Sequence, residues 1–175
     1  IWRSNDSGAT WTEDTSVGSA RLWNSIAMSS DGTKQTAVAQ YGNIWRSNDS
    51  GATWTEDTSV GSTMGWRGIA MSSDGTKQTA VASNGNIWTS KDSGATWTKD
   101  TSAGPKTKSV KEIIWGKKWT KGTVPATKNW RSIAMSSDGT KQTAVVLDGN
   151  IWRSDDSGAT WTEDTSVGST KAWHS

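Results

Sequence analysis

Short runs of alternating apolar and polar side chains recur along the chain and are separated by clusters of Gly, Asp, Ser and Asn. Two such runs are WNSIAMSS at 23–30 and KQTAVAQ at 34–40, with Asp31-Gly32 between them. Alternation over four to eight residues is typical of half-buried β-strands. The Asp-Gly dipeptide favours a tight hairpin turn, because both residues tolerate a positive φ. The pattern therefore predicts antiparallel strands joined by hairpins, and Asp-Gly recurs at 74–75 and 138–139.

The pattern of strands and turns is itself repeated. An eight-residue segment, here called the octet, reads SNDSGATW at 4–11 and 47–54, SKDSGATW at 90–97 and SDDSGATW at 154–161. The Ile that precedes each octet recurs at spacings of 43, 43 and 64 residues, so one unit holds 21 extra residues. A period near 43 with four short strands in each unit is typical of the blades of a β-propeller.

The predicted fold is all-β: one β-propeller segment over 1–175, built from four-stranded antiparallel blades, with about three and a half blades in the chain. The repeats span 1–43, 44–86, 87–150 and, in part, 151–175, and a basic insertion occupies 105–128. An open arc of blades exposes unpaired strand edges, which favour association. We therefore expect the chain to bind itself, either as a homodimer that closes a ring or as a filament. Further repeats in a longer chain are the alternative.

The octets fit the pattern S-x-D-x-G-x-T-W and resemble the Asp-box, or BNR repeat, of the sialidase-like superfamily of β-propellers. The resemblance implies that each octet turns between the two outer strands of a blade, with its Asp capping backbone N–H groups and its Trp packed beneath. The variable second residue, Asn5, Asn48, Lys91 or Asp155, is predicted to face solvent. The units are nearly identical, which indicates recent amplification or engineering. The implied structural residues are Ser4, Asp6, Gly8, Trp11, Ser47, Asp49, Gly51, Trp54, Ser90, Asp92, Gly94, Trp97, Ser154, Asp156, Gly158 and Trp161.

Composition limits the core and the chemistry. The chain has fourteen Trp, one Tyr and no Phe, so its core must combine Trp with Ile, Val, Ala and Met. It has no Cys, which excludes disulfides and thiolate metal sites. No segment resembles a signal peptide or a membrane span, and we expect no membrane partner.

A catalytic role is not expected. The octets resemble those of the sialidase-like superfamily. Its sialidases need three Arg around a carboxylate, a Tyr activated by a Glu, and an Asp acid. Here five of the six Arg fall at repeated blade positions, Tyr41 has no Glu nearby in sequence, and His174, the only His, adjoins the end of the sequence. An asymmetric reaction centre requires departures from the repeat, and a shared fold does not bring the chemistry with it. We expect no catalytic residue, no cofactor and no metal site.

The insertion has two interpretations. It holds seven Lys and one Glu, while the whole chain carries a formal charge of +2. A functional interpretation is a basic platform on which Trp115 and Trp119 stack on bases or sugars. A structural interpretation is a solvated loop, since Lys interleaved with Thr, Ser and Gly is ordinary loop composition. No nucleic-acid fold signature accompanies the insertion, so a nucleic-acid partner is not expected.

The first Trp of each inner strand, Trp23, Trp66 or Trp130, is a further candidate for stacking on a ligand. Packing between blades explains the same residues without a ligand, because aromatic residues at strand spacing usually pack in the core. The sequence thus favours a non-enzymatic structural scaffold completed by self-assembly. The alternative is a carbohydrate-binding or protein-docking propeller of the sialidase-like superfamily.

Overall fold

The computed structural model describes residues 1–18, 20–60, 64–100, 128–166, 168 and 171–173. Within these residues all regular secondary structure is β-strand. The strands are β1 (Trp2–Arg3), β2 (Thr12–Glu13), β3 (Trp23–Met28), β4 (Gln35–Gly42), β5 (Ile44–Ser47), β6 (Thr55–Asp57), β7 (Met64–Met71), β8 (Gln78–Ala82), β9 (Ile87–Ser90), β10 (Thr98–Asp100), β11 (Trp130–Met135), β12 (Gln142–Gly149), β13 (Ile151–Ser154), β14 (Thr162–Asp164) and β15 (Lys171–Ala172).

The strands form three four-stranded antiparallel blades in which each strand pairs with the next: β3 to β6 in blade 1, β7 to β10 in blade 2 and β11 to β14 in blade 3. Before them, β1 and β2 form a lone hairpin that corresponds to a blade's outer pair. After them, β15 pairs with the end of β12. Three blades with a hairpin before and a strand after confirm the predicted all-β propeller segment of about three and a half blades. Of the predicted insertion, only Lys128 lies within the described residues.

The Asp-Gly dipeptides form the hairpins between the first two strands of each blade, as predicted. The Ser29 hydroxyl donates to Asp31 Oδ1 at 2.6 Å, and the Thr33 N–H donates to the same oxygen at 3.1 Å. Gly32 has a φ of 73°, a conformation that disfavours residues with a Cβ. The turns at Asp74 and Asp138 repeat these bonds. Short-range polar contacts therefore set each hairpin locally.

Neighbouring blades are linked through the backbone. The end of β4 pairs with the start of β7 through Gln40 and Gly65. An isolated bridge between Gly85 and Lys128 links blade 2 to the segment before blade 3. Backbone pairing at or just after the end of the second strand of one blade thus connects that blade to the start of the next.

The apolar core lies at the junctions between blades. One cluster joins Val38 and Ile44 of blade 1 to Trp66 and Ile69 of blade 2. A second cluster joins blade 2 to blade 3 around Trp130. In each blade the Trp of the first strand meets the Trp of the third strand edge to face, with ring centroids 6.1 to 6.5 Å apart. Much of the buried apolar surface of a blade is therefore covered by its neighbours.

Equivalent residues differ in burial according to the strands that surround them. Trp2 is 58% exposed, whereas the equivalent Trp45 is 6% exposed. Ile26 in blade 1 is 50% exposed, whereas Ile69 in blade 2 is 5% exposed. The same sequence is thus core at one position and surface at another.

Replacing a Trp by Ala should therefore have unequal effects at these matched positions. We expect Trp45→Ala to lower the free energy of unfolding by about 3–5 kcal/mol, because it empties a buried site. Trp2→Ala, in dilute protein, should change it by less than about 1 kcal/mol, because most of its ring is already in water. Urea unfolding followed by circular dichroism measures both values. Equal losses for the two variants would contradict the open arc.

Candidate functional site

Each octet forms the loop between the two outer strands of a blade. In the octet of blade 1, the Ser47 hydroxyl donates to Asp49 Oδ1 at 2.7 Å and accepts a bond from the Gly51 N–H at 2.9 Å. Asp49 also accepts from the N–H and the hydroxyl of Thr53, at 2.9 and 2.6 Å. The other three octets contain the same bonds. All of these contacts lie within the octet, so the octet aspartates stabilise the loop itself.

The octet Gly and Trp residues have distinct positions. Gly51 has a φ of 79°, and a Cβ placed on it would lie 3.1 Å from the Gln35 side-chain oxygen. Trp54, Trp97 and Trp161 are buried, whereas Trp11 is exposed. The variable second residue of all four octets is exposed, as the sequence predicted.

The hydrogen bonds of the octets shift the acidity of their carboxyl groups. The hydroxyl and N–H of Thr53, followed by the Ser47 hydroxyl, stabilise the ionised form and lower the pKa of Asp49 to about 2. Equivalent bonds lower the pKa of Asp6 and Asp156 to about 2 and also lower the pKa of Asp92. These aspartates are therefore ionised at neutral pH.

The candidate stacking residues do not share one environment. Trp66 and Trp130 are fully buried between blades, and the Trp130 indole N–H donates to the Gly85 carbonyl. A buried ring has no face left for a sugar or a base, so the geometry of these two residues supports packing. Trp23 is half-buried. Trp115 and Trp119 lie outside the described residues.

Arg21, the one Arg outside the repeated positions, packs within blade 1. Its guanidinium lies 4.4 Å from the centre of the Trp45 ring and donates to the Val17 carbonyl. Tyr41 is exposed near the end of β4, with a φ of 56°. His174 lies outside the described residues. Within those residues, no three acidic or His side chains are grouped as metal ligands, and no helix could cross a membrane.

A polar contact set recurs at both junctions between blades. At the first junction, Lys34 Nζ donates to the Asp74 carbonyl at 2.9 Å and Thr36 Oγ1 donates to Gln78 Oε1 at 2.8 Å. In addition, the N–H of Ser30 donates to the carbonyl of Ser73 at 2.7 Å. Each of these bonds therefore runs from a donor in one blade to an acceptor in the next.

The second junction repeats the set. Lys77 Nζ donates to the Asp138 carbonyl at 2.8 Å, and Thr79 Oγ1 donates to Gln142 Oε1 at 2.7 Å. The Ser73 N–H donates to the Ser137 carbonyl at 2.6 Å. The Thr and Gln side chains are almost completely buried, where an unpaired polar group is costly. We call the three bonds at each junction, donated by a Lys, a Thr and a Ser N–H, the junction set.

The first and last blades carry the two halves of this set on opposite ends of the arc. Blade 1 presents the acceptor positions, namely the carbonyls of Ser30 and Asp31 and the side-chain oxygen of Gln35. Blade 3 presents the donor positions, which belong to Ser137, Lys141 and Thr143. We call these ends the acceptor face and the donor face. The acceptor face also exposes Ile26 and Met28, and on the donor face Ala134 is exposed and Val145 is partly buried.

Sequence reasoning missed the junction set. The Lys, Gln and Thr of the set belong to the repeated segment GTKQTAV, whose pattern predicts only a strand. The same Lys, Gln and Thr occur in all three copies of this segment. This repetition is the signal that could have identified them, because a strand position that only faces solvent tolerates many different side chains.

Comparisons with known proteins identify the fold. No protein-family model matches the chain, and a search of curated proteins finds no match. Among solved structures, a YCF48 protein bound to a D1 peptide matches with a TM-score of 0.59 and 18% identity, over 83% of this chain and 42% of that one. A GH74 xyloglucanase from Xanthomonas campestris matches with a TM-score of 0.61 and 14% identity, over 93% and 26%.

A YCF48 protein from Cyanidioschyzon merolae gives a TM-score of 0.57 at 14% identity, over 83% of this chain and 38% of that chain. The chain spans less than half the length of each of these three structures. At these identities the likeness shows a β-propeller fold and nothing further about activity.

The lowered pKa values predict how stability depends on pH. An Asp with a folded pKa near 2 and an unfolded pKa near 4 stabilises the fold fully above about pH 4, and this contribution disappears as the pH falls through about 2. We therefore expect stability to be flat from about pH 5 to 8 and to fall between about pH 4 and 2. Urea unfolding at a series of pH values measures this profile.

Asp49→Asn supplies the control, because its amide oxygen still accepts hydrogen bonds but does not titrate. This variant should lose less stability between about pH 4 and 2 than the unchanged protein. If the carboxyl carbon chemical shifts of the octet aspartates Asp6, Asp49 and Asp156 titrate near pH 4 in the folded protein, the lowered pKa values are wrong.

Proposed function

We propose that this chain is a structural propeller scaffold that assembles head to tail, with the donor face of one copy docked on the acceptor face of the next. The observation that carries the proposal is the recurrence of the junction set at both internal junctions, with its complementary halves on the two end faces. In the assembly, Lys141 donates to the Asp31 carbonyl of the next copy, and Thr143 donates to Gln35. A heterologous contact of this kind gives a ring where its rotation closes and a filament where it does not.

The apolar parts of the two faces support the same docking. Inside the chain, Ile69 of blade 2 packs in one cluster with Val38 of blade 1. Ile26 and Val145 hold the equivalent positions on the acceptor and donor faces and are open or half-open to solvent. Docking removes this apolar surface from water, which contributes roughly 25 cal/mol per Å².

The hairpin β1–β2 lies where the outer part of a docked blade would lie. Ile1 packs against the cluster of Val17, Ala37, Trp45 and Trp54, as Ile44 packs at the next junction. Residues 1–14 and 151–164 differ only at Asn5 and Asp155. The outer hairpin of a docked blade 3 can therefore replace β1–β2 with equivalent contacts, in the manner of a domain swap.

We further propose that the octets are Asp-boxes of the sialidase-like superfamily and that the near-identical blades arose by recent amplification or by engineering. The four equal sets of hydrogen bonds around Asp6, Asp49, Asp92 and Asp156 support the first point. The scaffold has no enzymatic activity in this proposal, because five of the six Arg occupy equivalent blade positions instead of converging on one centre.

The mass of the particle in solution tests the assembly. Light scattering of the 175-residue chain at tens of micromolar should give a dimer, as expected for a ring, or a distribution of larger species, as expected for a filament. Thr143→Arg on the donor face and Ile26→Asp on the acceptor face should each weaken association at least about tenfold, because each places a charge in a buried junction.

Thr55→Arg is the matched control, since Thr55 is exposed on the outermost strand of blade 1. It should leave association unchanged. A monomer at every concentration would overturn the proposal, and so would equal effects of Thr55→Arg and Thr143→Arg.

A further inference from the structure

The outer hairpin of blade 2 departs from the repeat at three positions. Thr89 replaces an Arg, Lys91 replaces an Asn or Asp, and Lys99 replaces a Glu found in the other three copies. The formal charge of residues 87–100 is zero, whereas 1–14 and 44–57 each carry −2 and 151–164 carry −3. This blade edge has therefore lost the negative charge that the other three share.

All three departures line one cleft. The cleft lies between the outer strands of blade 2 and the octet of blade 3, where Gly158 and Ala159 form its opposite wall. Its volume is about 530 Å³, within the range of about 300–1,000 Å³ that is usual for ligand sites. The three altered residues therefore lie together at one cleft and are not scattered over the surface of the blade.

The substitution at position 89 leaves room in the cleft. In blade 3, the equivalent Arg153 extends to the neighbouring strand and pairs with Asp164 at 3.4 Å. Thr89 is too short to make this contact, and its methyl carbon lies 2.8 Å from the point where a Cβ on Gly158 would stand. The Gly in the octet of blade 3 thus lets the two blades approach at the base of the cleft.

The two Lys side chains are available to a ligand. In blades 1 and 3, the Glu at the position of Lys99 accepts a bond from an Asn side chain, at 3.0 and 3.2 Å. Lys99 has only donors and cannot accept this bond. Among the described residues, neither Lys91 nor Lys99 belongs to an ion pair. Two carboxyl groups also line the cleft: Asp92, which is bonded to Ser90 and Thr96, and Asp100.

We propose that this cleft binds an acidic oligosaccharide of uronic acids, whose carboxylates pair with Lys91 and Lys99 and whose hydroxyls bond to Thr89 and Thr98. Charge-assisted hydrogen bonds supply the affinity, and the threonine hydroxyls bind the ring substituents. No aromatic or large aliphatic side chain lines the cleft, so it offers no pocket for the apolar side chains of a peptide.

The cleft lies within one chain, between two of its own blades, so its occupancy does not depend on self-association. The scaffold proposal and this proposal therefore fail or succeed separately. In a head-to-tail assembly, each copy would contribute one such cleft to the outer rim.

Calorimetry on the 175-residue chain with tri-galacturonate as the probe tests the proposal. We expect saturable binding with one site per chain. The neutral methyl ester of the same trisaccharide and a tri-glutamate peptide should each bind at least about tenfold more weakly. Absence of saturable binding, or stronger binding of the peptide, would overturn the proposal.

Variants that restore the residues of the other blades locate the site without endangering the fold. Lys91→Asn and Lys99→Glu should each reduce affinity for tri-galacturonate by about tenfold. Thr89→Arg separates the cleft from general attraction: it adds a positive charge but fills the cleft, so it should also weaken binding. If Thr89→Arg strengthens binding, the cleft is not the site.

The double variant Asn48→Lys, Glu56→Lys is the matched control. It places the same two charges on blade 1, where Arg46 occupies the position of Thr89. This variant should not gain a second saturable site. A second site of equal affinity would show that lysines on any blade edge suffice, which would contradict a role for the cleft.

Discussion

The structure depends on the packing of each blade against the next. No blade encloses its own apolar residues: Trp66 is fully buried because blade 1 covers it, and Trp130 is buried because blade 2 does. Polar groups follow the same rule, since the buried Thr36 and Thr79 find their acceptors in the following blade. Stability of this kind is a sum over neighbours, as in other repeat proteins. Every blade therefore has two faces, and in the described arc one face of the first blade and one face of the last blade have no complete blade packed against them.

Two kinds of polar contact have separate roles in this architecture. The octets and the Asp-Gly turns contain bonds between residues close in sequence, and they define the shape of each blade before it meets another. The junction set joins residues about forty to sixty positions apart and fixes how blades sit together. Because the local contacts are the same in every copy, the blades present nearly the same surface. Each blade can therefore pack on the next in the same geometry.

Function in such an array is expected where the repetition fails. Solved structures with the same fold include one bound to a peptide and one that is a xyloglucanase by name, so the fold itself does not decide between roles. In the described residues of this chain, the clearest local change is the outer hairpin of blade 2, where charge and side-chain length change together. The two proposals thus rest on different features: the scaffold proposal rests on what the blades share, and the cleft proposal rests on what one blade has altered.

The sequence alone determined the strands, the hairpin turns and the number of blades, because these depend on neighbours within a few residues. Asp31-Gly32 and the octets give the same turn wherever they occur. The sequence could not determine burial, since Trp2 and Trp45 lie in the same local sequence and differ almost completely in exposure. Nor could it pair Lys34 with Asp74, or bring Thr89 to Gly158, because these contacts exist only when one blade lies against another. Tertiary structure decided which copy of each repeated residue is core, which is surface and which lines the cleft, since that depends on the neighbouring blade.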